Sequence, residues 1–559
     1  GGVGGKAAGM LLAWAILRKA GHPGIALPNT VFLLTDAYTA FKDHNGLTEL
    51  SDHKYEHLDR VRRNYPAIQA VFQNAEFPPR VANRLRAELA RLGDVPLIVR
   101  SSSLLEDAQF QPFAGIYRTY MLPNQNRDPK LRLERLTRAI KLVYASTYME
   151  TPRSYAKSTM HRTEDEKMAV VIQQLTGARY GDYFYPAIAG VAQSYNFYPV
   201  SRLKPEDGVA HIALGLGKTV VEGGTSLLFS PRYPQLLPQF STVDDILSNS
   251  QRSFYALNLK EFPEDFGSPD NFMDDATLVK LDIDEVREHP PVRQLCSTYY
   301  PQEHRIRDTA DQKGYPVLTF AGILKYNAFP LADILNAVLE MGSKGMGCPV
   351  EIEFSVNLPF YGDRKPEFAL LQIRPMAISE HNRNVEVREA DIGEAFCYST
   401  MALGNGRFHD IADIVYVRPE KFDPAQTVKI AAEIGGFNRR LTIENRKYLL
   451  IGPGRWGSAD RWLGIPVTWN EISGVGTIVE TTAENLKADP SQGSHFFHNI
   501  TSLGISYLTA SENGEDFIDW KWLDSLPAAS KTTYLKHVAL EKPLTVKIDG
   551  KTSRGVLLK

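Results

Sequence analysis

"EIEFSV", residues 351–356, is followed after a short interval by "FALLQIRPM", residues 368–376. In the first stretch Glu351 and Glu353 alternate with Val350, Ile352 and Phe354; in the second Gln372 and Arg374 alternate with Leu371 and Ile373. A period of two is the mark of a strand, and it puts each polar pair on one face. Two such strands in an antiparallel hairpin bring those faces side by side. Neighbouring carboxylates repel unless a cation lies between them. Mg²⁺ suits that place, because it prefers oxygen ligands and is held by one or two carboxylates plus phosphates. The planar guanidinium of Arg374 matches a phosphate. The same residues would also make an ion-paired outer face, Glu against Arg across the strands, and the hairpin alone leaves both readings open.

Outward from the hairpin, the chain reads as α/β. "GGVGGKAAGMLLAWAILRKAG" is a glycine loop running into a short amphipathic helix that stops at Gly21 and Pro23. "TVFLLT" is a strand, "AYTAFKDHN" begins a helical stretch, and residues 55–92 carry helical spacing broken at the prolines. "VPLIVRSSS" is an apolar strand emptying into a polar turn. "LRLERLTRAIKLVYASTYM" is a long amphipathic helix, "KMAVVIQQL" and "PAIAGVAQSY" are strands, and "HIALGLGKTVVEGG" is a glycine turn at a strand end. Residues 240–310 are polar and charge-rich, and read as helical. The pattern restarts after "RPMAISEHNRN", which sets a boundary near residue 380. The expected divisions are 1–205, 206–380 and a C-terminal α/β domain over 381–559.

With 559 residues, 43% hydrophobic and 23% charged, the chain has the composition of a multidomain globular protein. Its net charge of -2 gives no basic field for nucleic acid or a membrane surface. No apolar run approaches the ~20 residues that span a bilayer. The three cysteines, Cys296, Cys348 and Cys397, contain no CxxC. That argues against a disulfide framework or a structural zinc site and fits a reducing cytoplasm. The chain begins at Gly1 and not methionine, which leaves room for residues upstream. Nothing here sets an oligomeric state.

Two further segments suit phosphates. "GGVGGKAAGM" gathers backbone N–H groups, a helix N-terminus and Lys6, although it lacks the GxxxxGK[ST] spacing. "IVRSSSLLEDAQFQPFAG" places Arg100 at a strand mouth before three serines, with Glu106 and Asp107 as alternative ion-pair partners. Taken in order, "GGKAAGM", "VRSSSLLEDAQFQPFAG", "MAVVIQQL", "GLGKTVVEGG" and "EIEF…LLQIRPM" resemble the ATP-grasp, nucleotide-binding domain of pyruvate phosphate dikinase and phosphoenolpyruvate synthase, over residues 1 to about 378. The resemblance implies a two-subdomain ATP-grasp unit binding ATP and Mg²⁺. It also implies that Lys6 and Arg100 contact ATP phosphates, and that Glu351, Glu353, Gln372 and Arg374 line the nucleotide and metal site, Glu351 and Glu353 holding the metal. Two departures touch the catalytic half. The family's phenylalanine-threonine-Arg-Asp-Pro-like stretch is replaced by "GVAQSYNFYPV", and the Glu often found after Gly-Leu-Gly is Lys218.

In the full-length family a histidine on a mobile domain carries the phosphoryl group to a barrel that binds pyruvate or phosphoenolpyruvate. Such a barrel needs about 250 residues. Residues 381–559 are fewer, so no TIM barrel is expected in this chain. "GSHFFHNITSLGI" offers Gly493, Ser494 and His495 with Leu503, Gly504 and Ile505 at the family's spacing, but Phe496, Phe497 and Thr501 depart from it. His495 is thus a candidate phosphoryl acceptor, or the start of an ordinary helix. "LLIGPGRWGSADRWLG" is either an anion-binding or indole-presenting turn or a structural turn that orders Trp456 and Trp462. The function expected is an ATP-dependent phosphotransferase of the kinase/dikinase type with an unidentified acceptor. A nucleotide-binding regulatory protein without transfer and an ATP-grasp ligase are the alternatives.

Overall fold

The computed structural model describes residues 2–20, 24–48, 50, 58–103, 106, 115–153, 166–199, 203–268, 275–309, 314–358, 365–376, 385–483, 486, 494–511, 514–550 and 552–559. It divides into two compact units, the first made of Gly1–Asn196, Val200–Val221 and Thr225–Met376, the second of Phe197–Pro199, Glu222–Gly224 and Ala377–Lys559. Its mixture of helices and sheets is α/β, and among the described residues no sheet closes into a barrel. No helix among them is long and apolar enough to cross a membrane.

The first unit holds two principal sheets and a helix that touches both. Helix α1, Gly4–Ala20, takes in Gly4, Gly5 and Lys6, so the end of the glycine run expected as a loop is already helix, while Gly2 and Val3 precede it. Its predicted stop at Gly21 and Pro23 lies outside the described residues. A four-stranded antiparallel sheet has the order β1 (Thr30–Leu33), β3 (Met168–Gln174), β2 (Leu97–Ser103) and Thr119–Leu122. Beside it the predicted helix appears as α2, Pro129–Ala145, started by Pro129 and by Asp128, whose side chain accepts from the Lys130 N–H. A six-stranded sheet contains β4 (Ile188–Gln193), β5 (Val209–Ala213), β6 (Val350–Asn357) and β7 (Glu367–Pro375), with β6 between β7 and β4.

The β6–β7 register pairs Glu351 with Arg374 and Glu353 with Gln372, as the alternation required, before a bulge after Glu353. Val350, Ile352 and Phe354 belong to the main core, with Leu335, Val338 and Leu339 of α3, Leu331–Met346. On α1, Ala7 and Met10 pack against Val171 of β3, whereas Ala13 and Leu17 join the core of the six-stranded sheet.

Two readings need correction. Residues 240–310 are not mainly helical: Ser253–Asn258, Leu278–Asp282, Cys296–Tyr300 and Arg305–Arg307 are strands, and among the described residues there only Val243–Asn249 and Pro290–Leu295 are α-helices. Most of the charges there lie in turns and short helices between the strands, and the strand signal was the alternation of buried Phe254 and Ala256 with half-buried neighbours. The helix Leu58–Asn74 also continues through Pro66.

The second unit is built on a ten-stranded sheet. Strands β8 (Gly406–Val417), β9 (Tyr448–Pro453), β10 (Val475–Thr481) and β11 (Ser506–Ala510) run parallel in that order. The connections carry helices α4 (Thr427–Ile443), α5 (Trp469–Ile472) and α6 (His495–Ser502). The unbroken apolar run Leu449–Ile451 is fully buried, as a strand covered on both faces requires. The turn after β9 is structural at its centre: Trp456 is fully buried and its indole N–H points to the Val479 carbonyl, so it presents no ring for stacking. Trp462, expected over the core, is exposed.

Gly457 has φ +71, and a Cβ there would lie 2.2 Å from Cδ2 of Phe496 on α6. Gly457→Ala should therefore lower stability, by about 1–2 kcal/mol for the left-handed backbone alone. Denaturant unfolding checks this, and an unchanged midpoint would mean that the turn relaxes without cost.

Candidate functional site

The predicted residues of the first unit converge where β2 of one sheet meets the β6–β7 hairpin of the other. The guanidinium of Arg374 donates to Glu351 through both Nε, at 2.7 Å to Oε1, and Nη2. Gln193, at the end of β4 and opposite Glu351 in the register, donates its side-chain amide to Glu351 Oε2 at 2.5 Å. Glu351 and Arg374 are each 1% exposed. Arg100 reaches in from β2, and its Nη2 donates to Glu353 Oε2 at 2.8 Å and to Gln372 Oε1 at 2.5 Å. Glu353 is the more accessible carboxylate, its side chain 12% exposed.

Lys6 is held by the serines that follow Arg100. Its Nζ donates to Glu106 Oε1 at 2.6 Å and to Ser101 Oγ at 3.4 Å. The hydroxyl of Ser102 accepts from the Ala7 N–H and donates to the Val3 carbonyl, tying the first turn of α1 to β2. Gly4 makes this approach possible: with φ +75, a Cβ would stand 1.8 Å from the Ser102 carbonyl oxygen. Ser103 lies beside Tyr117, whose hydroxyl donates to Glu166 at 2.6 Å. Burial, then the Glu166 charge, pushes the Tyr117 phenol well above its ordinary range, so it stays a neutral donor.

Three cations are thus matched by three carboxylates: Lys6–Glu106, Arg100–Glu353 and Arg374–Glu351. The alternative of Arg100 paired to Glu106 does not hold: Glu106 pairs with Lys6 and Arg100 with Glu353. Asp107, the other alternative partner, lies outside the described residues. The ion-paired hairpin is present, but it is buried rather than solvated. Among the described residues no group of three or more His, Cys, Asp and Glu could hold a metal ion. The oxygen-rich pair Glu351 and Glu353, on one face of β6, fits an ion that also takes phosphate ligands.

Sequence reasoning named Glu106 only as a possible partner of Arg100, and it missed Gln193. Strand alternation could have pointed to Gln193, which stands opposite Glu351 on β4. Lys218 has its Nζ 5.5 Å from the centre of the Tyr255 ring. A separate cavity of about 560 Å³ is lined by Ser194, Asp207, Arg232 and Asn336 among others, and by none of the predicted residues.

His495 lies in the second unit, as the first residue of α6. Ser494 caps that helix, its Oγ accepting from the Phe497 N–H. Phe497 and Ile500 are core residues and His498 is 4% exposed, whereas His495 is half-buried. Gly493 falls outside the described residues.

Residues 1–393 match the family described as pyruvate phosphate dikinase, AMP/ATP-binding domain. The chain belongs to that family, and the matched region takes in Lys6, the serine turn after Arg100 and the whole hairpin. No curated protein matches the chain.

The two carboxylates should respond differently to neutralisation. Glu351→Gln breaks the close ion pair of the buried Arg374 guanidinium and leaves it Glu353 at 3.9 Å, and breaking a buried pair is a class of change that costs about 3–5 kcal/mol. Glu353→Gln, at a partly open position, should cost clearly less. Equal losses in urea unfolding would contradict this division.

Proposed function

We propose that the first unit binds Mg-ATP through Lys6, Arg100 and Arg374 and that the protein is an ATP-dependent phosphotransferase of the dikinase type. The observation that carries this is the matched charge set where two sheets and α1 meet, in a family of AMP/ATP-binding domains. Such a set suits polyphosphate: anionic oxygens of the nucleotide match the guanidinium groups, and Glu353 and Glu351 would hold the metal, Glu353 being the more accessible of the two. Gln372 orients the nucleotide through its amide. When bound, Mg²⁺ supplies positive charge to the phosphoryl oxygens. Lys6, Arg100 and Arg374 add fixed positive charge, which steadies the transferring group without rearrangement.

His495 is the acceptor in this reading, since it is the more accessible of the two histidines in α6. A neutral imidazole nitrogen attacks phosphorus as the P–O bond to the leaving nucleotide breaks. A second reading, a nucleotide-binding regulator without transfer, is favoured by "GVAQSYNFYPV" standing where the family's Arg-Asp stretch is expected and by the phenylalanines that follow His495. An ATP-grasp ligase is the third. Products separate them: AMP with phosphate for dikinase chemistry, ADP for a kinase or ligase, unaltered ATP for a regulator. The three cysteines are unpaired, which agrees with the reducing cytoplasm we propose as its location.

Mg-ATP should raise the melting temperature by mass action. ATP without metal should raise it less, and Lys6→Ala or Arg100→Ala should shrink the shift. Absence of any shift at millimolar Mg-ATP would sink the nucleotide-site proposal.

Incubation with labelled Mg-ATP should leave phosphate on the chain that is lost in acid and kept in base. His495→Asn should abolish it and His498→Asn should spare most of it. Label that survives His495→Asn removes this residue from the mechanism.

A further inference from the structure

We propose that Glu106 is a positioning residue that holds the Lys6 ammonium in place for a phosphate oxygen, and that it keeps its partner when nucleotide binds. This rests on the nucleotide-site reading above. Glu106 is fully buried, and its carboxylate is fixed from three directions. Oε1 accepts from Lys6 Nζ at 2.6 Å and from Ser101 Oγ at 3.0 Å, while Oε2 accepts from the Ser103 N–H at 3.0 Å. Two of those donors belong to the end of β2, so the carboxylate is part of the rigid sheet edge. An ammonium has three N–H donors. Among the described residues Glu106 and Ser101 take two from Lys6, and a phosphate oxygen would take the third.

The Arg100–Glu353 pair is built differently. Glu353 accepts from Arg100 at 2.8 Å, lies 3.9 Å from Arg374 and is partly accessible, so it is the carboxylate better placed to exchange a guanidinium for a metal ion. Glu106 has no such access, its side chain being 0% exposed against 12% for Glu353. Of these two carboxylates, Glu106 is therefore the one whose work is to stay.

Two opposing effects decide what neutralising Glu106 would do. Removing a negative charge near a polyanion favours ATP. Against this, the Lys6 side chain is 8% exposed, and a buried ammonium without a carboxylate has neither water nor counter-ion to solvate it. It would swing away from the serine turn, and the oriented donor would be lost. The second effect dominates because burial makes the ammonium's position depend on the pair.

The test is calorimetric titration of the full chain with Mg-ATP for wild type, Glu106→Gln, Lys6→Met and the double variant. Ligand-free melting temperatures are measured alongside. Glu106→Gln keeps an oxygen for the Ser103 N–H and removes the charge. Its ATP Kd should rise about tenfold, the loss of one charge-assisted hydrogen bond. The double variant should bind no more weakly than Lys6→Met, because Glu106 acts only through Lys6. Ser101→Ala, a milder change to the same clamp, should weaken ATP in the same direction and lets the proposal be judged if Glu106→Gln does not fold. Weakening by Glu106→Gln that persists in the Lys6→Met background would show a merely structural role and overturn the proposal. Unchanged or tighter ATP binding in Glu106→Gln would overturn it too. Wild type that binds no Mg-ATP would instead remove the nucleotide site on which it rests.

Discussion

Three positive and three negative side chains are buried together where two sheets and α1 meet, and they must neutralise one another. Burying either sign alone would cost several kcal/mol per ion. The requirement fixes a great deal of the first unit. Glu351 has to lie opposite Arg374, which sets the β6–β7 register; Arg100 has to reach Glu353, which sets how β2 meets the hairpin. Lys6 has to reach Glu106, which draws α1 against the serine turn, where only glycine fits at position 4. A charge set of this kind is costly scaffolding, and its presence suits a site whose partners are meant to be exchanged.

The helix between the sheets gives that site its rigidity. Ala7 and Met10 anchor α1 on the four-stranded sheet, and Ala13 and Leu17 anchor it on the core of the six-stranded one. Lys6 is carried on the same turn as Ala7, and the Ala7 N–H is fastened to Ser102. The ammonium is thereby placed by backbone on one side and by a fixed carboxylate on the other.

Much of this was legible from residues. The alternation around Glu351 and Arg374 specified two strands and the face each side chain occupies, and the ordered motifs indicated the family. What the sequence could not show was pairing across distance. Nothing local reveals that Glu106 turns to Lys6 rather than to Arg100, which depends on how α1 packs on β2, or that Gln193 meets Glu351, which depends on which distant strand lies beside β6. The error over residues 240–310 has another cause: charged turns and short helices separate the strands, and the short alternation of Phe254 and Ala256 was outweighed by polarity. Around the second-unit turn, glycine and tryptophan together were compatible with an exposed ring, and only packing shows Trp456 inside.

The place of β7 in its sheet has a consequence for the order in which the chain assembles. It is the last strand of the first unit to be synthesised, yet it lies inside the sheet, between β6 and the early segment Ile25–Ala26, with which it pairs in parallel. Residues near the N-terminus leave the ribosome long before the strand that covers them. Closing so long a loop is slow, and the waiting edge is open to wrong partners. Any shelter for a growing chain of this kind, from a chaperone or from its own synthesis rate, matters most in the interval before residue 375 emerges.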